Sequence, residues 1–382
     1  MHLKRFDVKL MLCHAPKSGG PGGASATESP MSVAAVNTEG PVLFEDPRAA
    51  VSTGKPVLFE DIRPVPTKQR ASLGVVELTL DEGQSVRAFG VVYGLEHTIS
   101  GDGYRATLFL DQYNQRIKII DYQADNMEAL VLKVRWIAEA NGFDKIICMA
   151  SRHDWLHFLR FGYVLEAVLK YYLNGEDAFV VSKFRSQERL TSPNLMEEIL
   201  LIEKVMGVPP GPSRQPLATD HELRLARRDD IPELIALYQS IFETYPSPLI
   251  YSSYLETVFQ KDSVFAVATR DGRIVSAASA ELYPHHRAAE LTDCATLREA
   301  RGRGLMRHLL QILEDELQRR SYVCAYTMAR ARSYGMNNVF YRLGYEFMGR
   351  LVNNCDIYGT FEDMNIWVKR LGGGAQPPAA GR

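Results

Sequence analysis

Long apolar runs are missing from this 382-residue sequence. No stretch approaches the roughly 18–20 residues needed to span a bilayer, which excludes a helical integral membrane protein. A signal peptide is not expected either. Met1–Cys13 carries Lys and Arg and only a short apolar piece (Val8, Leu10, Met11, Leu12), and His14, Pro16 and Lys17 follow where small cleavage-site residues would stand. Cysteine is scarce. The five cysteines (13, 148, 294, 324 and 355) include no C-x-x-C pair, which points away from a disulfide framework or a zinc site. A basic excess is also lacking: 44 Lys+Arg stand against 46 Asp+Glu, a formal net charge of −2. That argues against a general nucleic-acid binder. What remains is 46% hydrophobic and 24% charged residues, enough for two domains with their own cores. The expectation is a soluble cytoplasmic protein with neither nucleic-acid nor membrane partners.

Residues 1–72 are rich in Gly, Pro, Ala and Ser, as in Ser18-Gly19-Gly20-Pro21-Gly22-Gly23, and sustain no helical or strand period. Such a stretch buries too little apolar surface to offset its ordering entropy and is expected to be disordered. Within it Pro-Val-Leu-Phe-Glu-Asp occurs twice, at Pro41–Asp46 and Pro56–Asp61. It reads either as a docking motif presenting Leu and Phe or as a chance duplication in a tail. Met31 is an alternative start.

Regular structure is expected from Gly74. Val75–Leu80 and Tyr104–Tyr113 have strand character. Leu130, Val131, Val134, Ile137 and Ala138 recur at helical spacing within Asn126–Ala140, and Asn141-Gly142 supplies a stop. A buried strand Lys145–Met149, a short helix Asp154–Phe161, strands Tyr163–Tyr172 and Ala178–Phe184, and a helix Leu195–Met206 follow. The Pro/Gly-rich residues 207–220 form a linker between a domain over 73–206 and a second over 221–371, with a frayed tail at 372–382. The second domain reads as strand Leu223–Ala226, helix from Asp229 towards Phe242, a hairpin of Val264–Thr269 and Ile274–Leu282 around Asp271-Gly272, and strand Glu290–Leu297. Helix Leu305–Arg320, strand Tyr322–Met328, helix Asn337–Leu343, and strands Tyr345–Asn353 and Met364–Lys369 complete it. The order β-α-β-β-β-α-β-α-β-β gives a mixed α/β (α+β) class.

The segment that carries chemistry runs from a strand through Arg301-Gly302-Arg303-Gly304-Leu305-Met306 into a helix. A helix N-terminus led by glycines presents unpaired N–H groups and the positive end of the macrodipole, an anion site suited to a pyrophosphate. No Gly-Lys-Ser/Thr follows and the G-x-G-x-x-G spacing is absent, so neither a Walker A loop nor a dinucleotide fingerprint is present. The plainer alternative is a glycine turn before a surface helix.

In this context the sequence resembles the GNAT superfamily of acetyl-CoA-dependent N-acetyltransferases. Their pyrophosphate loop follows Arg/Gln-x-x-Gly-x-Gly/Ala, which residues 301–306 match except for Met306 at the last position. A second signature, Tyr-x-x-x-Gly-Phe/Tyr, is approached by Asn337-Asn338-Val339-Phe340-Tyr341-Arg342-Leu343-Gly344-Tyr345, with a shorter tyrosine-to-glycine gap. Glu290–Thr296, Thr327–Asn337, Leu351-Val352-Asn353-Asn354 and Met364–Lys369 further resemble the β-lysine N6-acetyltransferases, which act on β-lysine supplied by lysine 2,3-aminomutase to make a compatible solute. The resemblance implies a C-terminal GNAT fold, acetyl-CoA as co-substrate with no metal, and cofactor contacts along Cys294, Ala295 and Thr296, over residues 301–306 and at Asn337.

An amine must lose a proton before it attacks a thioester, so a carboxylate is needed as base. Glu290 is the first choice. Asp293, three residues on, would face the other side of a regular strand, as an anchor for the substrate ammonium or as the base itself. By resemblance Tyr341 protonates the departing thiolate; otherwise it is a packed core tyrosine. Arg330 could hold the substrate carboxylate bidentately or pair with a neighbouring acid. Asn353, Asn354 and Glu362 are candidates for polar recognition or for turn and strand-end chemistry. His285-His286 belongs to a hairpin loop and lacks metal-ligand partners at useful spacing.

Phe158-Leu159-Arg160-Phe161-Gly162-Tyr163 parallels Phe340-Tyr341-Arg342-Leu343-Gly344-Tyr345. The first domain therefore reads as a truncated GNAT-like unit without a glycine loop, with Leu159 where Tyr341 stands. The resulting expectation is an N-acetyltransferase acting on β-lysine by direct amine attack. Its rivals are a GNAT enzyme for another small amine (a polyamine, lysine or an aminoglycoside) and a non-catalytic acyl-CoA-binding scaffold.

Overall fold

A computed structural model describes residues 33–37, 40–44, 75–89, 94–209, 220–242, 249–261, 263–357 and 359–372. Two short strands, β1 (Val33–Asn37) and β2 (Gly40–Phe44), lie within the stretch expected to be disordered. They pair with each other, and β1 pairs with β4 (Gln84–Phe89), the hairpin partner of β3 (Val75–Asp81). Composition averaged over the whole stretch hides a short segment that can add to an exposed strand edge. The second Pro-Val-Leu-Phe-Glu-Asp copy lies outside the described residues, as does most of the linker.

The first half contributes β5 (Leu95–Gly101), β6 (Tyr104–Asp111) and β7 (Arg116–Ala124), then helix α1 (Met127–Ala140) and β8 (Lys145–Ala150). Helix α2 (Trp155–Arg160), β9 (Val164–Leu173), β10 (Glu176–Phe184), and helices α3 (Gln187–Leu190) and α4 (Leu195–Met206) complete it. The second half opens with β11 (Glu222–Leu225), α5 (Ile231–Ile241) and α6 (Ser252–Lys261). It continues through β12 (Ser263–Arg270), β13 (Arg273–Tyr283), β14 (Ala288–Thr296), α7 (Leu305–Arg319) and β15 (Cys324–Arg330), and ends with α8 (Tyr334–Arg342), β16 (Glu346–Ile357) and β17 (Thr360–Arg370).

All strands from β5 onward join one 13-stranded sheet, ordered β11-β12-β13-β14-β15-β17-β16-β9-β10-β8-β7-β6-β5. Each half repeats one pattern. An antiparallel meander (β5-β6-β7 or β12-β13-β14) gains a parallel strand (β8 or β15), then the last strand of the half, then the one before it. The two halves meet where β16 passes β9, with Gly349 opposite Ala167.

Three facts hold that junction. Gly349 has φ +137°, and a Cβ there would collide with the backbone of Glu166 and sit 2.6 Å from the Cα of Ala167. Only glycine combines that conformation with that approach. Second, β16 bulges: Val352 to Asn354 stand opposite the single Asp363, between the register pairs Leu351–Met364 and Cys355–Glu362. Third, buried charges of the first half seize the carbonyls so exposed. Lys145, paired with Glu166 at 2.8 Å, donates to the Val352 carbonyl at 2.8 Å, and Glu166 accepts the Val352 N–H at 2.6 Å. Arg116, paired with Asp111 at 2.7 Å, donates to the Asn354 carbonyl at 2.6 Å. Burial pulls Lys145 down to about 8, against the attraction of Glu166.

Apolar packing follows the same plan. Helix α1 covers one face of the first half with Leu130, Val134 and Ile137, and α7 covers the matching face of the second with Leu309, Leu310, Leu313 and Leu317. Ile202 and Val205 of α4 are buried in the α7 cluster, so this helix, which precedes the linker, packs on the second half. A shared cluster on the opposite face joins Ile147, Leu169 and Tyr172 to Tyr326, Leu351 and Ile366. No helix among the described residues is long and apolar enough to cross a membrane.

Gly349→Ala is expected to cost at least about 3 kcal/mol in urea unfolding, since it adds left-side backbone strain to a backbone collision. An unchanged midpoint would show that β16 can leave β9 without loss.

Candidate active site

Strand β14 decides the geometry. Its register with β13 pairs Glu281 with Glu290 and Ser279 with Thr292, then Ala277 with Ala295, so three residues of β14 span two of β13. The extra residue makes a β-bulge, and Asp293 takes φ +52° there. This corrects the alternation expected for a regular strand. The bulge resets the side-chain period, and Asp293 accepts from the Ser279 hydroxyl at 2.6 Å. Ser279 shares its face of β13 with Glu281, and Glu290 stands opposite Glu281. Asp293 and Glu290 therefore lie on one face of the sheet, not on opposite faces.

Glu290 accepts from the Tyr326 hydroxyl at 3.2 Å. Burial pushes its carboxyl up to about 7, aided by the negative charges of Glu281 and Asp293 and opposed by the Lys118 ammonium and the Tyr326 hydrogen bond. A carboxylate so placed exchanges protons near neutrality, as a general base requires. Glu281, Ser279, Tyr326 and Lys118 were not singled out from sequence. Glu281 was within reach: once Pro284–Arg287 is taken as the hairpin turn, counting back along the strands sets Glu281 against Glu290.

Beyond Glu290 the sheet opens. The parallel pairing of β14 with β15 ends at Glu290–Tyr326, yet β14 runs on to Thr296 and β15 to Arg330. Past that pair, Cys294, Ala295 and Thr296 of β14 have no β15 partner among the described residues, and the Ala295 carbonyl accepts from the Ser276 hydroxyl at 3.0 Å. Ala295 buries its methyl on the α5 side, and the Thr296 carbonyl accepts from Arg301 Nε at 3.1 Å. Burial pushes the Cys294 thiol up, which leaves it undissociated and a poor nucleophile.

The glycine loop lies just after this parting. Gly302 (φ +77°) and Gly304 (φ +76°) hold left-handed conformations, and a Cβ on Gly302 would meet open space. No side chain caps α7 among the described residues, so its first N–H groups face outward. Leu305 is buried, and Met306 turns into the α7 core. The methionine at this position is thus accommodated without entering the anion side. Arg303 reaches Asp220 at 3.1 Å, outside the loop. This cradle fits the pyrophosphate of acetyl-CoA. The first half differs at both features. The Asn126 side chain caps α1 at 3.1 Å, and the Tyr122 hydroxyl bridges the corresponding parting by donating to Asp154 at 2.9 Å.

Other expected site residues serve the framework. Asn337 is fully buried, donating to the carbonyls of Arg330 (3.0 Å) and Ser333 (2.8 Å) and accepting from Asn365 (3.0 Å) and Trp367 (2.8 Å). Both amide hydrogens and the carbonyl oxygen are engaged, so it is a strut joining β15, α8 and β17, and not a cofactor ligand. The Asn353 side chain donates to the carbonyls of Glu188, Arg189 and Thr191 at 3.0–3.1 Å, closing the end of α3. Asn354 is buried at the seam between halves, held through its carbonyl by Arg116. The Leu-Val-Asn-Asn segment is thus a joint, not a recognition surface. Arg330 and Glu362 are bidentate partners at 2.5 and 2.7 Å, the alternative in which the arginine pairs with a neighbouring acid. Tyr341 packs against the α7-side core and donates to the Met206 carbonyl at 3.0 Å. Its ring lies 6.2 Å from that of Trp367 of β17, on the α7 side of the sheet.

Residues 231–345 match the acetyltransferase (GNAT) family. The chain is 36% identical over 274 residues to the N-acetyltransferase YodP of Bacillus subtilis, covering 72% of this chain and 99% of that one. It is 35% identical over 230 residues to the β-lysine N(6)-acetyltransferase of Methanosarcina mazei, covering 55% of this chain and 85% of the relative. The enzyme of the same name from Methanococcus maripaludis is 32% identical over 262 residues, covering 68% of this chain and 94% of its own.

Removing the negative neighbour by Glu281→Gln lowers the titration midpoint of Glu290, and Tyr326→Phe raises it. Carbon NMR of labelled glutamate side chains reads both shifts. A Glu290 midpoint indifferent to Glu281 would break the facing-carboxylate geometry.

Proposed function

The chain belongs to the acetyltransferase (GNAT) family, and on that premise we propose that it transfers acetyl from acetyl-CoA to the side-chain amine of β-lysine. The observation that carries the reading is one short path along β14: a half-buried carboxylate titrating near neutrality, a bulge, a parted strand edge and a glycine-led helix with no side-chain cap among the described residues, in that order. The N–H groups at 302–306 would hold the pyrophosphate, and the β14 edge at Cys294–Thr296 the amide-bearing arm. Glu290 takes a proton from the acceptor ammonium. The freed amine attacks the thioester carbonyl, the N–C bond forms, and the C–S bond breaks. Tyr341 is the proton donor to the leaving thiolate, which requires its hydroxyl to leave the Met206 carbonyl, and the second proton shed by the nitrogen as the amide forms restores the tyrosine. Asp293, set by Ser279, adds negative charge for an acceptor ammonium. The undissociated Cys294 thiol argues for direct transfer without an acyl-enzyme. The names of the two archaeal relatives support β-lysine as acceptor, and N6-acetyl-β-lysine as a compatible solute would follow.

One observation favours a second acceptor class. Glu281, Glu290 and Asp293 make the site acidic while Arg330 is neutralised by Glu362, a pattern suited to a diamine or polyamine without a carboxylate.

Release of free thiol from acetyl-CoA, measured with β-lysine, α-lysine and a diamine, separates the readings. The proposal expects the highest kcat/KM with β-lysine. Glu290→Gln should lower kcat about 100- to 10,000-fold with acetyl-CoA binding retained. Full turnover by that variant, or a clear preference for the diamine, would overturn the assignment.

A further inference from the structure

A β-amino acid acceptor brings two ammonium groups and a carboxylate, and Glu281, Glu290 and Asp293 answer only the ammonium groups. Arg330 is held by Glu362 on two bonds, so a cation for the acceptor carboxylate has to come from elsewhere. We propose that the first half supplies it: Lys118 of β7 reaches the site across the shared face of the sheet and holds the acceptor's carboxylate. This inference rests on the acetyl-transfer reading above.

The internal repeat puts Lys118 where it is needed. In the parallel pair β7–β8, Lys118 stands opposite Ile147; in the matching pair β14–β15, Glu290 stands opposite Tyr326. Ile147 and Tyr326 belong to the same apolar cluster at the seam, so the two rows meet there. A bulge recurs close by: the β6–β7 register skips Ile120, between the pairs Leu108–Ile119 and Thr107–Asp121, where β13–β14 shifts between Thr292 and Ala295. By the parallel pairing Lys118 is the first half's counterpart of Glu290, with the sign of charge reversed, and Asp121 follows it at the three-residue spacing that separates Asp293 from Glu290. The first half also leans on the β13–β14 turn. Tyr172 of β9 packs on Tyr326 (5.6 Å), Tyr283 (6.2 Å) and His286 (5.0 Å), and Asn174 donates to the carbonyls of His285 (2.8 Å) and His286 (2.9 Å).

Two electrostatic links run across the gap: Lys118 acts on Glu290, and Asp121 on His286. Yet Lys118 makes no ion pair among the described residues, and its ammonium lies 5.9 Å from the ring centre of Phe109. A half-buried lysine facing a carboxylate site without its own counter-ion is suited to an anionic group of a ligand whose cationic end lies at Glu290. A diamine leaves it unmatched. The first half would then serve as the part of the active site that tells an amino acid from a diamine.

The test compares wild type, Lys118→Met, Lys118→Gln and Lys118→Arg on β-lysine and on the diamine formed by removing its carboxylate, with thermal melting to confirm folding. Wild type is expected to prefer β-lysine. Lys118→Met and Lys118→Gln should raise KM for β-lysine about 10- to 100-fold, the loss expected for a charged hydrogen bond, with KM for the diamine unchanged and only the pH profile moved upward for both acceptors as Glu290 loses the opposing ammonium. Lys118→Arg should restore most of the preference. If wild type prefers β-lysine and both neutral variants keep that preference, Lys118 does not hold the carboxylate. An equal loss on both substrates would mark a structural role and overturn the inference. Should wild type itself fail to discriminate, the β-amino acid reading falls and this inference with it.

Discussion

Strand β16 can join β9 only because residue 349 has no side chain, and through that junction the two halves share one sheet. Gly349 lets the two backbones touch. The bulge that follows it turns the carbonyls of Val352 and Asn354 towards Lys145 and Arg116, and these buried cations are neutralised by Glu166 and Asp111. Charges this deep are tolerated only when paired and hydrogen-bonded, so the seam tolerates little rearrangement. Two half-sheets thereby become one, and β7 and β14 are fixed on a common face.

A second bulge does for chemistry what the first does for architecture. One extra residue at Asp293 bends β14, ends its pairing with β15 beyond Glu290, and returns Asp293 to the face that carries Glu290 and Glu281. Strand parting and carboxylate clustering therefore share one cause. Glu290 is pushed towards neutrality by its surroundings while Ser279 gives Asp293 a specific hydrogen bond. Two carboxylates of the same strand are thus set up for different work.

Much of this was readable from residues alone, and the gaps have physical reasons. The helix at Leu195–Met206 and the hairpin around Asp271-Gly272 follow from periodicity and turn chemistry, and the glycine loop from its own spacing. Strands β5 and β7 carry weaker patterns and depend on neighbours distant in sequence. Asn353 and Asn354 look like recognition residues because buried amides serve joints and ligands equally well; only their partners decide. Asp293 was placed on the wrong face because strict alternation holds for unbulged strands, and a positive φ at an aspartate leaves no mark in composition. Lys118 could not be reached at all, since its relevance depends on two halves sharing a sheet.

If one face of the duplicated sheet, served by the glycine loop of the second half, performs acetyl transfer, a crystal structure of the chain with CoA and β-lysine will hold the pyrophosphate on the N–H groups of residues 302–306, the arm between β14 and β15, and the acceptor amine at Glu290. CoA lying in the first half, or an acceptor remote from Glu290, would contradict that assignment.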